Sequence, residues 1–223
     1  GAVNAVAFDI SAACAGFIFA MNIVEGFFKA GIYKTALIIG AETLSKVTDW
    51  SDRGTCVLFG DGAGAAVLKA EETGIIDMMM GADGTKGDVL ACTSRTVGNF
   101  LTGTKPELGF MTMDGQEVFK FAVRKVPESV LELLNRTGTK KEDIKYYVLH
   151  QANERIIEAA ARRLKEPMEK FPMTISQFGN TSTASIPLLL DDMIQKDMLK
   201  RGDKIIMSGF GAGMTWGAVL MEW

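Results

Sequence analysis

Apolar positions change their spacing several times along the chain, and each change marks an element. Val3 to Ile10 is a short apolar run that predicts a buried strand. The segment SAACAGFIFAMNIVEGFFKAG then carries its apolar residues at helical spacing as far as Gly31, a suitable C-terminal stop. Cys14 is thereby expected at a strand-to-helix junction. Thr35 to Gly40 (TALIIG) predicts a second buried strand, and CVLFG followed by GAAVLKA predicts two more around the glycines at 60, 62 and 64. Residues 81 to 112 are rich in Gly and Thr with little periodicity, which predicts a long surface excursion of the kind that covers a site.

Beyond that excursion, Asp114 with Glu117 three residues later predicts a capping box, opening a helical pattern that Pro127 breaks or restarts before Asn135. Two helical pieces are expected there. YYVLH predicts a strand ending at His150, QANERIIEAAARRL a helix, MTISQFGN a strand running into a loop, and IPLLLDDMIQKDML another helix. DKIIMSGFG and TWGAVLMEW close the chain as strands. On this reading Cys14 and Asn180 each end a strand and precede an apolar helix, and the next strands begin at Thr35 and Asp203. That correspondence, with the echo of GAGAAVL in GAGMTWGAVL, hints at two related α/β halves.

Composition narrows the class without naming a function. The 223 residues are 48% hydrophobic, with 24 basic against 27 acidic side chains, as in a globular protein with a sizeable core. No block of like charge is present, which argues against sequence-independent nucleic-acid binding. The longest charge-free stretches, Ile10 to Val24 and Ile205 to Met221, fall short of the roughly 20 apolar residues a spanning helix requires, so no membrane segment is expected. Cys14, Cys56 and Cys92 form neither a disulfide framework nor a C-x-x-C pair. With a single histidine no metal site is expected either, and the reading is a reduced, cytoplasmic protein. The chain opens on Gly1 and an apolar segment where an initiator methionine would be expected, which suggests a fragment.

Three residues invite a chemical reading. A cysteine in the first turn of a helix feels the positive end of the dipole, which favours thiolate, and Ala12, Ala13, Ala15 and Gly16 leave room for a carbonyl to approach Cys14. The same segment also fits a buried, inert cysteine, the reading that suits Cys56 and Cys92. His150 fits either a satisfied structural histidine or a ligand at the carboxyl end of a strand. Asn180 lies in FGNTSTAS, whose Gly179, Thr181 and Ser182 equally fit an ordinary turn and cap. Together, a Cys, a His and an Asn at strand ends make a nucleophile with two neutral hydrogen-bond donors, suited to an acyl-thioester reaction that passes through an enolate. SGFGAGMTWG adds a glycine turn whose N–H groups fit an oxyanion hole or a plain turn. Neither it nor GDGAG matches GxxxxGK[ST] or GxGxxG.

Six segments then make the chain recognisable: DISAACAGF, DRGTCVLFGDGAGAAVL, MDGQEVFKFAV, VLHQANERI, QFGNTSTASIP and GFGAGMTWG. In this order and over nearly the whole chain, it resembles the beta-ketoacyl-acyl-carrier-protein synthase III family, condensing enzymes of the thiolase superfamily. The resemblance implies an α/β thiolase-like fold, five-layered αβαβα with two pseudo-repeated halves. On this resemblance the first half is expected to be incomplete. Residues 1–80 would hold the rest of that half and the nucleophilic Cys, 81–112 a connecting, pocket-covering region, and 113–223 the second half with His and Asn. It also implies a decarboxylative Claisen condensation of an acyl-CoA primer, typically acetyl-CoA, with malonyl-acyl carrier protein, initiating type II fatty acid biosynthesis. By matching position, Cys14 would take the acyl group and His150 and Asn180 would hold the enolate oxygen. The backbone N–H groups of Cys14 and Ala212 would form the oxyanion hole. Arg53 and Arg155 would face the CoA nucleotide or its tunnel mouth, Asn153 the pantetheine arm, and Met113, Gly115 and Phe210 the acyl pocket. The implied partners are acyl carrier protein, met by a basic patch around Arg155, acyl-CoA, and a second copy in a homodimer. CoA is a substrate, and no further cofactor is implied.

Two departures stand out. Many members carry glycine where this chain has Ala212, which matters only if that backbone must adopt a glycine-only conformation. Family chains also carry about a hundred further residues before the strand leading to the cysteine, and without them a sheet edge and an apolar face are expected to lie bare. Three other readings stay open at this point. One is a CoA-only condensing enzyme of the type III polyketide synthase kind. A second is a papain-like hydrolase with the same Cys, His, Asn order, and a third is a catalytically inactive fragment.

Overall fold

A computed structural model describes residues 1–93, 98–106 and 109–223. Its strands form one sheet of two, β1 (Thr35–Glu42) with β2 (Gly62–Lys69). A second sheet of four runs in the order β3 (Ile75–Ala82), β8 (Thr215–Glu222), β7 (Lys204–Gly211), β6 (Ile144–Leu149), and the short pair β4 (Leu90–Cys92) with β5 (Met111–Met113) stands apart. Only β6 and β7 pair in parallel. Helices α1 (Gly16–Lys29) and α5 (Ser185–Gln195) lie between the two larger sheets, and α2 (Gly115–Thr137) and α3 (Glu154–Leu164) cover the other face of the four-stranded one. A four-residue helix, α4, spans Ile175–Phe178.

Strand periodicity explains this layering. On β7, Ile205 and Met207 point into the core with α1 and α5, while Ile206 and Phe210 point into the core with α2 and α3. On β6, Val148 joins the first core and Tyr147 and Leu149 the second. A sheet buried on both faces reads as a continuous apolar run, which is why YYVLH and KIIMSGFG are legible as strands. The outer face of β1–β2 has no such cover among the described residues: Leu37, Ile39 and Val67 are 61%, 60% and 73% exposed. Four of the five layers of the expected αβαβα stack are therefore present.

The two halves repeat one another in detail. Each has a 3-10 turn, Ala13–Ala15 or Ser182–Ala184, running straight into a buried helix and then into an antiparallel pair of eight-residue strands. The first residue of each turn has a left-handed backbone, Ala13 at φ 46° and Ser182 at φ 51°. Such angles are uncommon without glycine and persist only where packing holds them.

Several expectations change. Val3–Ile10 forms no strand and is exposed, because no neighbouring strand takes up its ladder of N–H and C=O groups. CVLFG is mostly turn, touching Asn180 through an isolated bridge at Phe59. MTISQFGN forms α4, not a strand. β3 hydrogen-bonds to β8 of the four-stranded sheet, so the tail of segment 1–80 packs with the second half. Within 81–112, residues 94–97 and 107–108 lie outside the described residues, and the remainder holds the end of β3, a 3-10 stretch (Gly84–Val89), β4 and the start of β5.

Helix α2 overturns two further expectations. Asp114 does cap it, accepting from Gln116 N and Glu117 N at 3.0 and 3.1 Å, but the box is not closed. The Asp114 N–H goes to Val89 O, and Glu117 pairs with Lys86 and Lys120. Pro127 does not divide the helix, which runs unbroken to a left-handed Gly138 cap. The Val123 carbonyl, deprived of an N–H at position 127, accepts from the Arg163 guanidinium of α3 at 3.3 Å. Arg163→Ala is therefore expected to cost about 0.5–1.5 kcal/mol, and clearly less in a Pro127→Ala background where the backbone N–H returns. Urea unfolding of the four proteins checks this, and equal costs in both backgrounds would contradict it.

Candidate active site

Cys14 occupies the 3-10 turn ahead of α1, not the helix itself. Small residues allow that turn to be gripped from the other half of the chain. A Cβ at Gly211, the end of β7, would sit 2.6 Å from the Cys14 amide nitrogen, and one at Gly16 would meet Thr183 Oγ1 at 2.7 Å. Thr183 Oγ1 donates to Ala13 O at 2.7 Å and Thr215 Oγ1 to Ala12 O at 3.1 Å. The two repeated turns are thus hydrogen-bonded to each other, and the left-handed Ala13 is held in place.

The expectation of a ready thiolate does not survive burial. Cys14 is 6% exposed, and loss of water around the sulfur pushes its pKa up to about 11. A hydrogen bond from Ser182 opposes the rise, and the negative charge of Glu42 adds to it. Desolvation outweighs the hydrogen bonds that favour the anion, so the neutral thiol is the resting form.

His150 directly follows β6, and its N–H bonds to Ser208 O at 2.8 Å, carrying the strand ladder one residue further. Its ring stands edge-on to Phe210, with centroids 5.4 Å apart, and its Nδ1 lies 2.6 Å from Ser185 Oγ. Burial alone pushes its pKa down to about 3, which keeps the imidazole uncharged at neutral pH. Asn180 follows α4 and is fixed by its own backbone, which accepts from Gly60 N and donates to Leu58 O, both at 2.9 Å. Its Oδ1 accepts Ser182 N–H at 2.9 Å, and this leaves the Nδ2 protons for another partner.

These three residues meet. Cys14, His150 and Asn180 line one cavity of about 200 Å³, together with Met113, Gly115, Asn153 and Phe210 from the expected substrate set. Asn153 also caps α3 by accepting Arg155 N–H at 2.9 Å. Arg53 and Arg155 are exposed and lie outside the cavity lining. Ala212 is half-buried beside Gly211 and has no positive φ, so its Cβ is accommodated without a glycine-only conformation. A larger cavity of about 1,040 Å³ between α1, β2 and α5 contains none of the three residues. Sequence reasoning gave Ser182 only a turn or cap role and gave Ser185 none. Both lie in the QFGNTSTASIP segment, which marks the family but not their contacts to Cys14 and His150, made across the fold.

Family models settle to which family the chain belongs. Residues 8–84 match the model described as 3-oxoacyl-[acyl-carrier-protein (ACP)] synthase III, and residues 134–223 match its C-terminal counterpart. The chain belongs to the synthase III family. Among curated relatives, the beta-ketoacyl-[acyl-carrier-protein] synthase III of Clostridium acetobutylicum is 51% identical over all of this chain and 69% of its own length. The Gloeobacter violaceus enzyme of the same name is 44% identical with the same coverage. The solved Aquifex aeolicus synthase III superposes with a TM-score of 0.90 at 45% identity, over all of this chain and 68% of its own. The Pseudomonas aeruginosa structure gives 0.90 at 40% identity, covering 99% and 68%. The thiolase-like α/β fold of the synthase III family is therefore that of this chain, and the papain-like reading falls away.

For this member of the family, burial of Cys14 fixes a pH dependence. The rate of alkylation by iodoacetamide is expected to rise close to tenfold per pH unit from 7 to 9, tracking the thiolate fraction below a pKa of about 11. Following the loss of iodoacetamide-reactive Cys14 by peptide mass spectrometry measures this. A plateau starting near neutral pH would mean that the dipole prevails over desolvation.

Proposed function

We propose that this chain performs the condensing reaction of its family in two stages, joining an acyl group, acetyl in the simplest case, to malonyl-acyl carrier protein. In the first stage the Cys14 sulfur attacks the acyl-CoA carbonyl. Thiol exchanges for thiol, the Cys14 proton leaves with CoA, and the tetrahedral oxyanion is held by the N–H groups of Cys14 and Ala212. In the second stage the malonyl group loses carbon dioxide, and the resulting enolate oxygen receives hydrogen bonds from His150 and from Asn180 Nδ2. The carbanion then attacks the Cys14 thioester, and the C–S bond breaks as the C–C bond forms. The departing Cys14 thiolate takes a proton from water to regenerate the thiol and close the cycle.

The observation that carries this reading is the gathering of Cys14, His150 and Asn180 on one small cavity with both nitrogen groups uncharged. A neutral imidazole with a protonated nitrogen and a carboxamide stabilise an enolate by donating hydrogen bonds, without acting as a base on carbon. Decarboxylation makes such a base unnecessary. In this reading Met113, Gly115 and Phe210 bound the acyl group and Asn153 meets the pantetheine arm. Arg53 and Arg155, both exposed, serve the CoA nucleotide and the acidic carrier protein. We also place the enzyme in the cytoplasm as a homodimer. Among the described residues no helix is long and apolar enough to cross a membrane, and exposed Val3, Val6 and Phe8 offer apolar surface for a second copy.

The test is to incubate the chain with radiolabelled acetyl-CoA, locate the label, and then add malonyl-acyl carrier protein. Label on Cys14 that passes into a beta-ketoacyl carrier protein is the expected result. Cys14→Ser is expected to abolish labelling, whereas His150→Ala or Asn180→Ala keeps part of it and slows decarboxylation about a hundredfold or more. No label at all would favour the inactive fragment. Equal loss of both stages in Asn180→Ala would contradict the role given to that residue.

A further inference from the structure

Ser185, the first residue of α5, is buried at 2% exposure and holds two hydrogen bonds. Its Oγ accepts the Gln151 backbone N–H at 3.3 Å and lies 2.6 Å from His150 Nδ1. Among the described residues no carbonyl or carboxylate accepts from this hydroxyl. A hydroxyl has one proton and two acceptor sites, so with one site taken by Gln151 two arrangements remain. If Nδ1 carried the ring proton, the serine oxygen would accept twice and its own buried proton would face no acceptor, at a cost of about 1–3 kcal/mol. If the serine O–H donates to Nδ1, every group is matched.

The donor of the first bond is itself immobile. Gln151 Nε2 donates to Leu149 O at 2.7 Å, and its Oε1 accepts Thr174 N–H at 3.0 Å. Gln151 is therefore anchored at both ends of its side chain, and its backbone N–H stays aimed at Ser185. A chain of contacts runs from Thr174 through Gln151 and Ser185 to the imidazole.

We infer that Ser185 is a positioning residue that fixes His150 as the Nε2–H tautomer, so that a protonated nitrogen rather than a lone pair faces the reaction cavity. This rests on the reading above that His150 is a neutral hydrogen-bond donor, and it supplies what that reading lacks. Burial explains why the ring is uncharged, but an uncharged ring has two tautomers, and only one stabilises an enolate oxygen. The other would present a lone pair to the developing negative charge. Ser185 makes the choice.

His150 is the sole histidine of the chain, which makes the test direct. The intact protein labelled with 15N-histidine gives one pair of ring nitrogen resonances. In the unsubstituted protein Nε2 is expected to carry the attached proton and Nδ1 to resonate as an unprotonated nitrogen. Ser185→Ala is expected to shift both signals toward a tautomer mixture and to slow malonyl-carrier decarboxylation about tenfold, with acetyl transfer to Cys14 within about twofold. A proton found on Nδ1 in the unsubstituted protein would overturn the inference even if the alanine variant did not fold. An unshifted spectrum in a folded Ser185→Ala would overturn it too. Failure of the wider reading looks different, because His150→Ala would then decarboxylate normally whatever the tautomer.

Discussion

Two short turns, Ala12–Ala15 and Asn180–Ala184, belong to different halves of the chain and touch at the centre of the molecule. Thr183 Oγ1 reaches across to Ala13 O at 2.7 Å, and Gly16 leaves only enough space for that hydroxyl. Ala13 and Ser182, the left-handed residues of the two turns, bend the backbone so that Cys14 and Asn180 open onto one cavity. Strain of this kind is sustained by packing, and here the packing is mutual, since the two turns lie against each other, the first also against β7 and the second against β1. His150 is drawn to the same place because β6 runs parallel to β7 and ends beside it. The site depends on this contact between halves more than on any single residue.

Burial of the reactive side chains follows from the same contact and sets the electrostatics. With both side chains buried, Cys14 is held as a thiol and His150 as a neutral imidazole, each displaced from its ordinary value by that burial. A neutral ring suits an anion that forms during the reaction, because it donates a hydrogen bond without repelling or surrendering a proton beforehand. A protonated sulfur suits an exchange between two thiols, in which the proton lost by one is gained by the other. Hydrogen bonds, rather than charges, therefore organise this cavity. Asn180 Oδ1 accepts from Ser182 N–H, and His150 Nδ1 lies within hydrogen-bond distance of Ser185 Oγ, so each side chain has a second residue against one of its two polar ends.

Much of this was legible in the residues, for identifiable reasons. β7 announces itself because it is buried on both faces and α1 because its apolar residues recur at helical spacing. The segments around Cys14, His150 and Asn180 carry enough specific neighbours to indicate the family. Local reading failed where tertiary contacts decide. Pro127 reads as a helix end until Arg163 arrives from α3, and Val3–Ile10 reads as a strand although, among the described residues, no strand lies beside it. The dipole argument for Cys14 was incomplete because burial at 6% exposure cannot be seen in SAACAGF. Ser182 and Ser185 were invisible as functional residues, since serines near a helix start serve as caps far more often than as partners of a nucleophile or an imidazole.

The most direct test of the central claim is a crystal structure of the chain acetylated on Cys14. The account predicts the acetyl carbonyl oxygen against the Cys14 backbone N–H, with His150 Nε2 and Asn180 Nδ2 turned toward the methyl side of the same cavity. An acetyl group carried by a different residue, or an imidazole and carboxamide directed into separate cavities, would contradict it.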